Sequence, residues 1–221
     1  MFGEPMEKSA SVRPRRRVET RAQLIAAAAE LFTERGTTHV SVEAICERAG
    51  FTRGAFYSNF KTVDELFFAL YKQRYAEVQQ QLETIVPQAL LPADAPHDLH
   101  AVVAAVLEAL PSDPQWSAVR AGFVAQAQHR AELAAELRAH AEAFSRHLQP
   151  LLLRGLDIVG RRLSTTPEIF TRAVLAADAG AITLAPLHDD ARHVREAAVR
   201  GVILGLTTEV GTPPSGDDAG R

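Results

Sequence analysis

The sequence predicts an all-α protein. Three observations lead there: apolar residues recur three and four apart through most of the chain, strand-like alternation is nearly absent, and alanine, the strongest helix former, is abundant. With 221 residues, 47% hydrophobic and 23% charged, the chain can bury a substantial core and is too apolar for general disorder.

A first helix over 21–35 follows from Thr20 as N-cap with Gln23 closing a capping box. Leu24, Ile25, Ala28, Leu31 and Phe32 form its inner stripe, and Gly36 stops it. Ser41 caps a short second helix with Val42, Ile45, Cys46 and Ala49 on one side. Gly50 breaks that helix and a third runs over 52–59. Two short helices joined by a glycine-containing turn of this length make a helix-turn-helix, which Phe51, Phe56 and Phe60 pin to its neighbours.

A fourth helix opens at Thr62 with Glu65 as capping-box partner. Its stripe of Leu66, Phe67, Leu70, Tyr71, Val78 and Leu82 carries it to Ile85, and Pro87 and Pro92 stop it. Further helices are expected over 97–110, 115–129, 131–160, 168–185 and 191–210. Pro111 and Pro114 separate the first two, Pro167 sits at a helix start, Pro186 closes the penultimate helix, and Pro150 kinks or splits the long one. The expected organisation is a basic flexible arm over 1–19, a helix-turn-helix domain over 20–66, a larger helical domain over 67–210 and a disordered tail over 211–221.

Charge is unevenly spread. Residues 1–75 carry 12 Lys+Arg against 9 Asp+Glu, and residues 76–221 carry 12 against 18, within a net charge of −3. A basic head led by Arg13, Arg15, Arg16 and Arg17 suits a polyanion, although a solvated arginine-rich tail reads the same way; the acidic remainder would be repelled by one. No apolar signal segment opens the chain and no 18 apolar residues run together, so a cytoplasmic protein without membrane contact is expected. The lone cysteine, Cys46, at a helical apolar position, reads as a buried structural thiol.

Residues 20–75 resemble the DNA-binding domain of the TetR family of bacterial regulators. The run Ala49, Gly50, Phe51, Thr52, Arg53, Gly54, Ala55, Phe56, Tyr57, Ser58, Asn59, Phe60 is the most diagnostic part, joined by the Ala-Glu-Leu-Phe and Arg-Gly ending of the first helix, the Ser41 start of the second and Asp64-Glu65-Leu66 in the fourth. The resemblance implies that the third helix enters the DNA major groove. The residue types suit that work. Thr52, Arg53 and Gly54 stand at a helix N-terminus, Arg53 can reach a guanine edge or the backbone, and Gly54 and Ala55 permit close approach. Tyr57, Ser58 and Asn59 can donate to phosphates, and Asn59 can instead read an adenine. Ser41 and Lys61 complete the expected DNA-binding set with Arg15, Arg16 and Arg17 as an arm. The family usually has a lysine where Val63 stands, so one backbone contact is missing and Lys61 is placed to replace it.

Similar proteins dimerise through their last two helices, which sets two reading helices about one turn of DNA apart on a palindromic operator. Small residues on the matching helices fit that role: Ala173, Ala176, Ala177 and Gly180, then Ala197, Ala198, Gly201 and Gly205, with Val202 beside them. Ordinary packing within the chain is the alternative. The resemblance also implies a small-molecule effector inside the larger domain, for which Trp116, Phe123 and Phe144 offer an apolar wall and Arg120 and His147 polar anchors. The expected function is a repressor released from its operator by a small hydrophobic molecule, with a helical adaptor or ligand-binding protein lacking specific DNA binding as the alternative.

His97 with His100, or His140 with His147, share helix faces, but no cysteine or carboxylate cluster completes a metal site, and no metal or cofactor is expected. There is no phosphate-binding glycine loop, no zinc-protease histidine pair and no nucleophile elbow, so an enzyme is not expected.

Overall fold

Local punctuation in the sequence determines most helix ends in the computed structural model, which describes residues 12–89, 98–109 and 112–210. Helix α1 spans Val12–Arg35, α2 Val42–Ala49, α3 Arg53–Asn59 and α4 Val63–Ala89. Ser41 caps α2 by accepting from the Ala44 amide at 3.2 Å, and Thr52 caps α3 by accepting from the Ala55 amide at 3.2 Å. Gly50 ends α2 in the left-handed conformation at φ 70°, which reverses the chain sharply enough to set α3 against α2.

Two expectations are corrected here. The first helix begins eight residues ahead of Thr20, so residues 12–19 are helical rather than a flexible arm: arginines are good helix formers, and Pro14 falls in the first turn, where its missing N–H costs nothing. Pro87 does not stop α4, which runs two residues past it, because one lost ladder bond near a helix end is tolerated. The expected domain boundary after residue 66 therefore falls inside one continuous helix. The expected tail over 211–221 lies outside the described residues.

The rest of the chain forms α5 (Leu99–Ala109), α6 (Pro114–Ala127), α7 (Ala131–Ile158), α8 (Pro167–Leu184), a turn of 3-10 helix (Ala185–Leu187) and α9 (Ala191–Gly205). Pro150 lies inside α7 without splitting it. The last helix stops five residues sooner than expected. A two-stranded antiparallel ribbon takes its place, β1 (Arg161–Leu163) against β2 (Thr207–Glu209), with Leu163 opposite Thr207. Gly160 at φ 64° turns the chain into β1, and Arg161 locks the ribbon by donating to the Thr207 hydroxyl at 2.6 Å and the Thr207 carbonyl at 3.0 Å.

One buried cluster joins the helix-turn-helix to the larger part of the chain. Phe32 of α1, Phe67 of α4 and Phe123 of α6 meet there with Phe56, Phe60, Leu133 and Leu137. Phe67 and Phe123 stack at 3.5 Å between centroids, and Phe32 meets both edge-on. A second cluster, with Phe170, Val174, Val199 and Ile203, ties α8 to α9. A buried Arg195 donates to Asp178 at 2.7 Å and to the Leu107 carbonyl at 3.1 Å, so its charge is paired and hydrogen-bonded.

Candidate nucleic-acid interface and internal cavity

Helix α3 divides into an inward and an outward face. Phe56, Asn59 and Phe60 are buried, whereas Thr52, Arg53, Gly54, Tyr57 and Ser58 are exposed and Ala55 lies half-buried between. The inward face anchors the outward one. Tyr57, half-exposed, is held edge-on against the fully buried Phe56 at 5.4 Å. Arg53 lies 6.0 Å from the Tyr57 ring and pairs with Glu43 of α2 at 2.9 Å. That pair is exposed on both sides, and exposed pairs contribute only about 0–1 kcal/mol, so the guanidinium is free to exchange its carboxylate for a phosphate or a guanine edge. A Cβ at Gly54 would make only an ordinary 3.7 Å contact with Thr52. The fold itself does not require glycine there, and its use leaves the helix surface open to an approaching partner.

Asn59 departs from expectation. Its amide nitrogen donates to the Ala55 carbonyl at 2.9 Å and the Ser58 hydroxyl at 3.2 Å, and the side chain is only 8% exposed. Position 59 follows Phe56 by three and therefore shares its face, so Asn59 is turned into the packed side of the helix rather than towards solvent. Ser58 also turns its hydroxyl back, donating to Ala55 at 2.9 Å, which leaves its oxygen as an acceptor.

The arginines ahead of the helix-turn-helix have a role that sequence reasoning missed. Arg17 donates to the Ser58 carbonyl at 3.1 Å and Arg21 to the Asn59 carbonyl at 2.8 Å, two cations on the last carbonyls of α3. Arg21 also covers the Phe60 ring at 4.1 Å. Their spacing of four, one helical turn apart, is the signal that could have found them. Arg16 is exposed, and the side chain of Arg15 lies outside the described residues. Ser41 and Lys61 are exposed beside α3. Val63 packs partly buried against the aromatic cluster.

Between α4, α5, α6, α7 and α8 lies a cavity of about 780 Å³. Trp116, Arg120 and Phe144 line it as expected; Phe123 and His147 do not. Phe123 is 1% exposed and belongs to the aromatic cluster. His147, three residues beyond Phe144, faces outward and meets Glu83 at 3.0 Å. Tyr71 and Tyr75, which were not singled out as ligand contacts, do line the cavity; their hydroxyls are 2.5 Å apart, and the Tyr75 ring stacks on Phe144 at 4.1 Å. Helix α6 starts from an Asp113 cap, turns Trp116, Ser117 and Arg120 into the cavity, and ends against the loop between α1 and α2.

On α8 and α9, Ala173, Ala177, Gly180, Ala198 and Val202 are half-buried and Gly201 and Gly205 exposed. Ala177 and Val202 pack into the second core cluster, as ordinary packing within the chain requires. Among the described residues, a Cβ at Gly180, Gly201 or Gly205 would meet nothing within 4 Å. Ile169, Leu184, Leu187 and Leu204 are about half-exposed or more. The stretch Pro167–Leu187 is also long enough, with a mean hydropathy of 1.3, to cross a membrane by length and composition.

Residues 24–70 match the family model for bacterial regulatory proteins of the tetR family. An uncharacterized HTH-type transcriptional regulator of Mycobacterium bovis, Mb2936c, is 35% identical over 88 residues, 39% of this chain and 44% of that protein. The HTH-type transcriptional regulator TtgR of Pseudomonas putida is 48% identical over 52 residues, 24% and 25% of the two chains. The matched stretch thus spans less than half the length of these relatives. A TetR-family regulator structure from Mesorhizobium loti superposes with a TM-score of 0.63 at 16% identity, over 85% of this chain and 95% of that one. SmeT in complex with triclosan superposes with a TM-score of 0.58 at 24% identity, over 89% and 96%. At these identities the superpositions establish the shared fold, in which a helix-turn-helix precedes a larger helical body.

Proposed function

Because the chain belongs to the TetR family of bacterial regulatory proteins, we propose that it is a cytoplasmic, ligand-responsive repressor that binds a palindromic operator as a homodimer. The observation that carries this reading is the outward face of α3, where Thr52, Arg53, Gly54 and Tyr57 stand exposed on a helix whose other face is fully packed. A rigidly anchored helix presenting polar side chains to solvent is what major-groove reading requires.

Dimerisation through α8 and α9 accounts for two features together. Half-exposed Ile169, Leu184 and Leu204 leave apolar surface uncovered, and the glycines at 180, 201 and 205 leave space that no described residue fills. A second copy would cover both. The apolar stretch Pro167–Leu187 is then an interface helix.

The cavity is read as the effector site, because about 780 Å³ walled by Trp116, Tyr75, Phe144 and aliphatic side chains suits a small hydrophobic molecule. SmeT, which shares the fold, is described as the repressor of a multidrug efflux pump and is known in complex with triclosan. Helix α6 gives the effector a route to DNA: one end lines the cavity and the other contacts the loop leading into α2. Occupancy that displaces α6 biases the two reading heads away from operator spacing.

The test is binding to DNA from upstream of the chain's own gene, titrated with salt against scrambled competitor. Specific, salt-sensitive binding that falls about tenfold or more on Arg53→Ala and on Tyr57→Ala is the expected result. Affinity unchanged by both substitutions would contradict the assignment of α3.

A further inference from the structure

The charge inside the cavity narrows the class of effector. Arg74 pairs with Glu77 and Asp113, at 3.9 Å and 3.7 Å, and Arg195 pairs with Asp178. Arg138, Arg172 and the carboxylate of Glu142 also line it but are exposed. Arg120 differs from all of these. It is half-buried, it lines the cavity, and among the described residues no carboxylate lies within ion-pairing distance. The neutral hydroxyl of Tyr71 lies near it and is itself paired with Tyr75.

A half-buried guanidinium without a counter-charge is open to an anionic partner, and its planar fork matches a carboxylate in two parallel hydrogen bonds. Around it the walls are mainly apolar: Trp116, Tyr71, Tyr75 and Phe144 stand on the side of α4, α6 and α7, and Val103, Leu156, Phe170 and Ile203, from the second core cluster, line another part of the wall. From this placement we infer that the effector is an amphipathic monoanion: a carboxylate received by Arg120, an aromatic ring beside it and an aliphatic remainder reaching towards α5 and α9. The inference rests on reading the cavity as the effector site.

Trp116 is the chain's sole tryptophan and lines the cavity, so its emission reports occupancy. The probes are 4-butylbenzoate and 4-butylbenzamide, nearly the same shape with and without the charge, titrated into the full chain. The benzoate is expected to bind at least about tenfold tighter than the benzamide, the gain of a charge-assisted hydrogen-bonded pair. In Arg120→Met, which keeps the apolar stem, the ratio falls to about one, and Arg120→Lys keeps part of the preference.

Equal binding of the two probes by the unaltered protein would overturn the inference without any variant, as would a preference that survives Arg120→Met. If neither probe shifts Trp116 emission nor gives heat on calorimetric titration, the effector-site reading itself fails and takes this inference with it.

Discussion

The amide of Gln126 donates to the Thr38 hydroxyl at 2.5 Å, tying the far end of α6 to the loop that leads into α2. Beside that bond, a Cβ at Gly122 would lie 2.8 Å from the Thr38 methyl group. Glycine is needed at position 122 because the helix and the loop touch there. Gly122→Ala is therefore expected to cost about 1–3 kcal/mol in urea unfolding, and Thr38→Ser, which removes the opposing methyl, is expected to recover most of it in the double variant. Additive losses would place the strain elsewhere.

At the start of α4, Val63→Lys restores a cation where the family usually has one. It should strengthen binding to operator and to scrambled DNA alike, and steepen the salt dependence by about 0.9 in the log–log slope, the signature of one added phosphate contact. A lysine in the first turn also opposes the helix dipole, and stability should fall by about 0.3–1 kcal/mol. An unchanged salt slope would show that position 63 does not reach the backbone.

His140 supplies a pH dependence whose sign follows from its surroundings. It lies against the rings of Phe68 and Tyr71, at 5.2 Å and 5.7 Å. Burial first, and the charge of Lys72 second, hold its pKa below the ordinary value, with Glu136 opposing. The unfolded chain, titrating near 6.5, thus binds a proton that the folded chain resists. Stability from the neutral ring is present above the unfolded value and is lost as pH falls from there through the folded one. The urea midpoint should drop on acidification from pH 7 to 5, and less steeply in His140→Gln. Parallel pH profiles for the two proteins would count against this account.

Gly201 is exposed on α9, and no described residue lies within 4 Å of its Cβ position. Gly201→Glu should leave the helical content unchanged, since the protomer has room for the side chain and glycine is the weaker helix former. It places a charge in the proposed interface. Sedimentation at micromolar concentration is expected to show dimer for the unaltered protein and monomer for the variant; a persistent dimer would move the interface away from this face.

Features set by neighbours in sequence were legible without the structure. Ser41 and Thr52 cap the helices they precede, Gly50 reverses the chain at a positive φ, and the stripe of Leu24, Leu31 and Phe32 is buried, because a cap, a left-handed glycine and a 3.6-residue period act over a few residues. The reading helix could be placed on those terms. Its faces could have been as well: Asn59 sits three residues from Phe56, and applying the helical period within the motif would have turned it inward.

Tertiary structure alone decided what lies far apart in sequence. Phe123 and Trp116 are both aromatic residues of α6 and both stack on Phe67, yet only Trp116 also walls the cavity, a difference made by the helices packed around them. His147 turns to Glu83 on α4, Arg17 and Arg21 close the end of α3 from α1, and residues 161–163 form a strand only because residues 207–209 come to lie beside them. The uncompensated charge of Arg120 is of the same kind. A guanidinium is visible in any sequence, but whether a carboxylate reaches it depends on the packing of α4, α6 and α7, which no local pattern encodes.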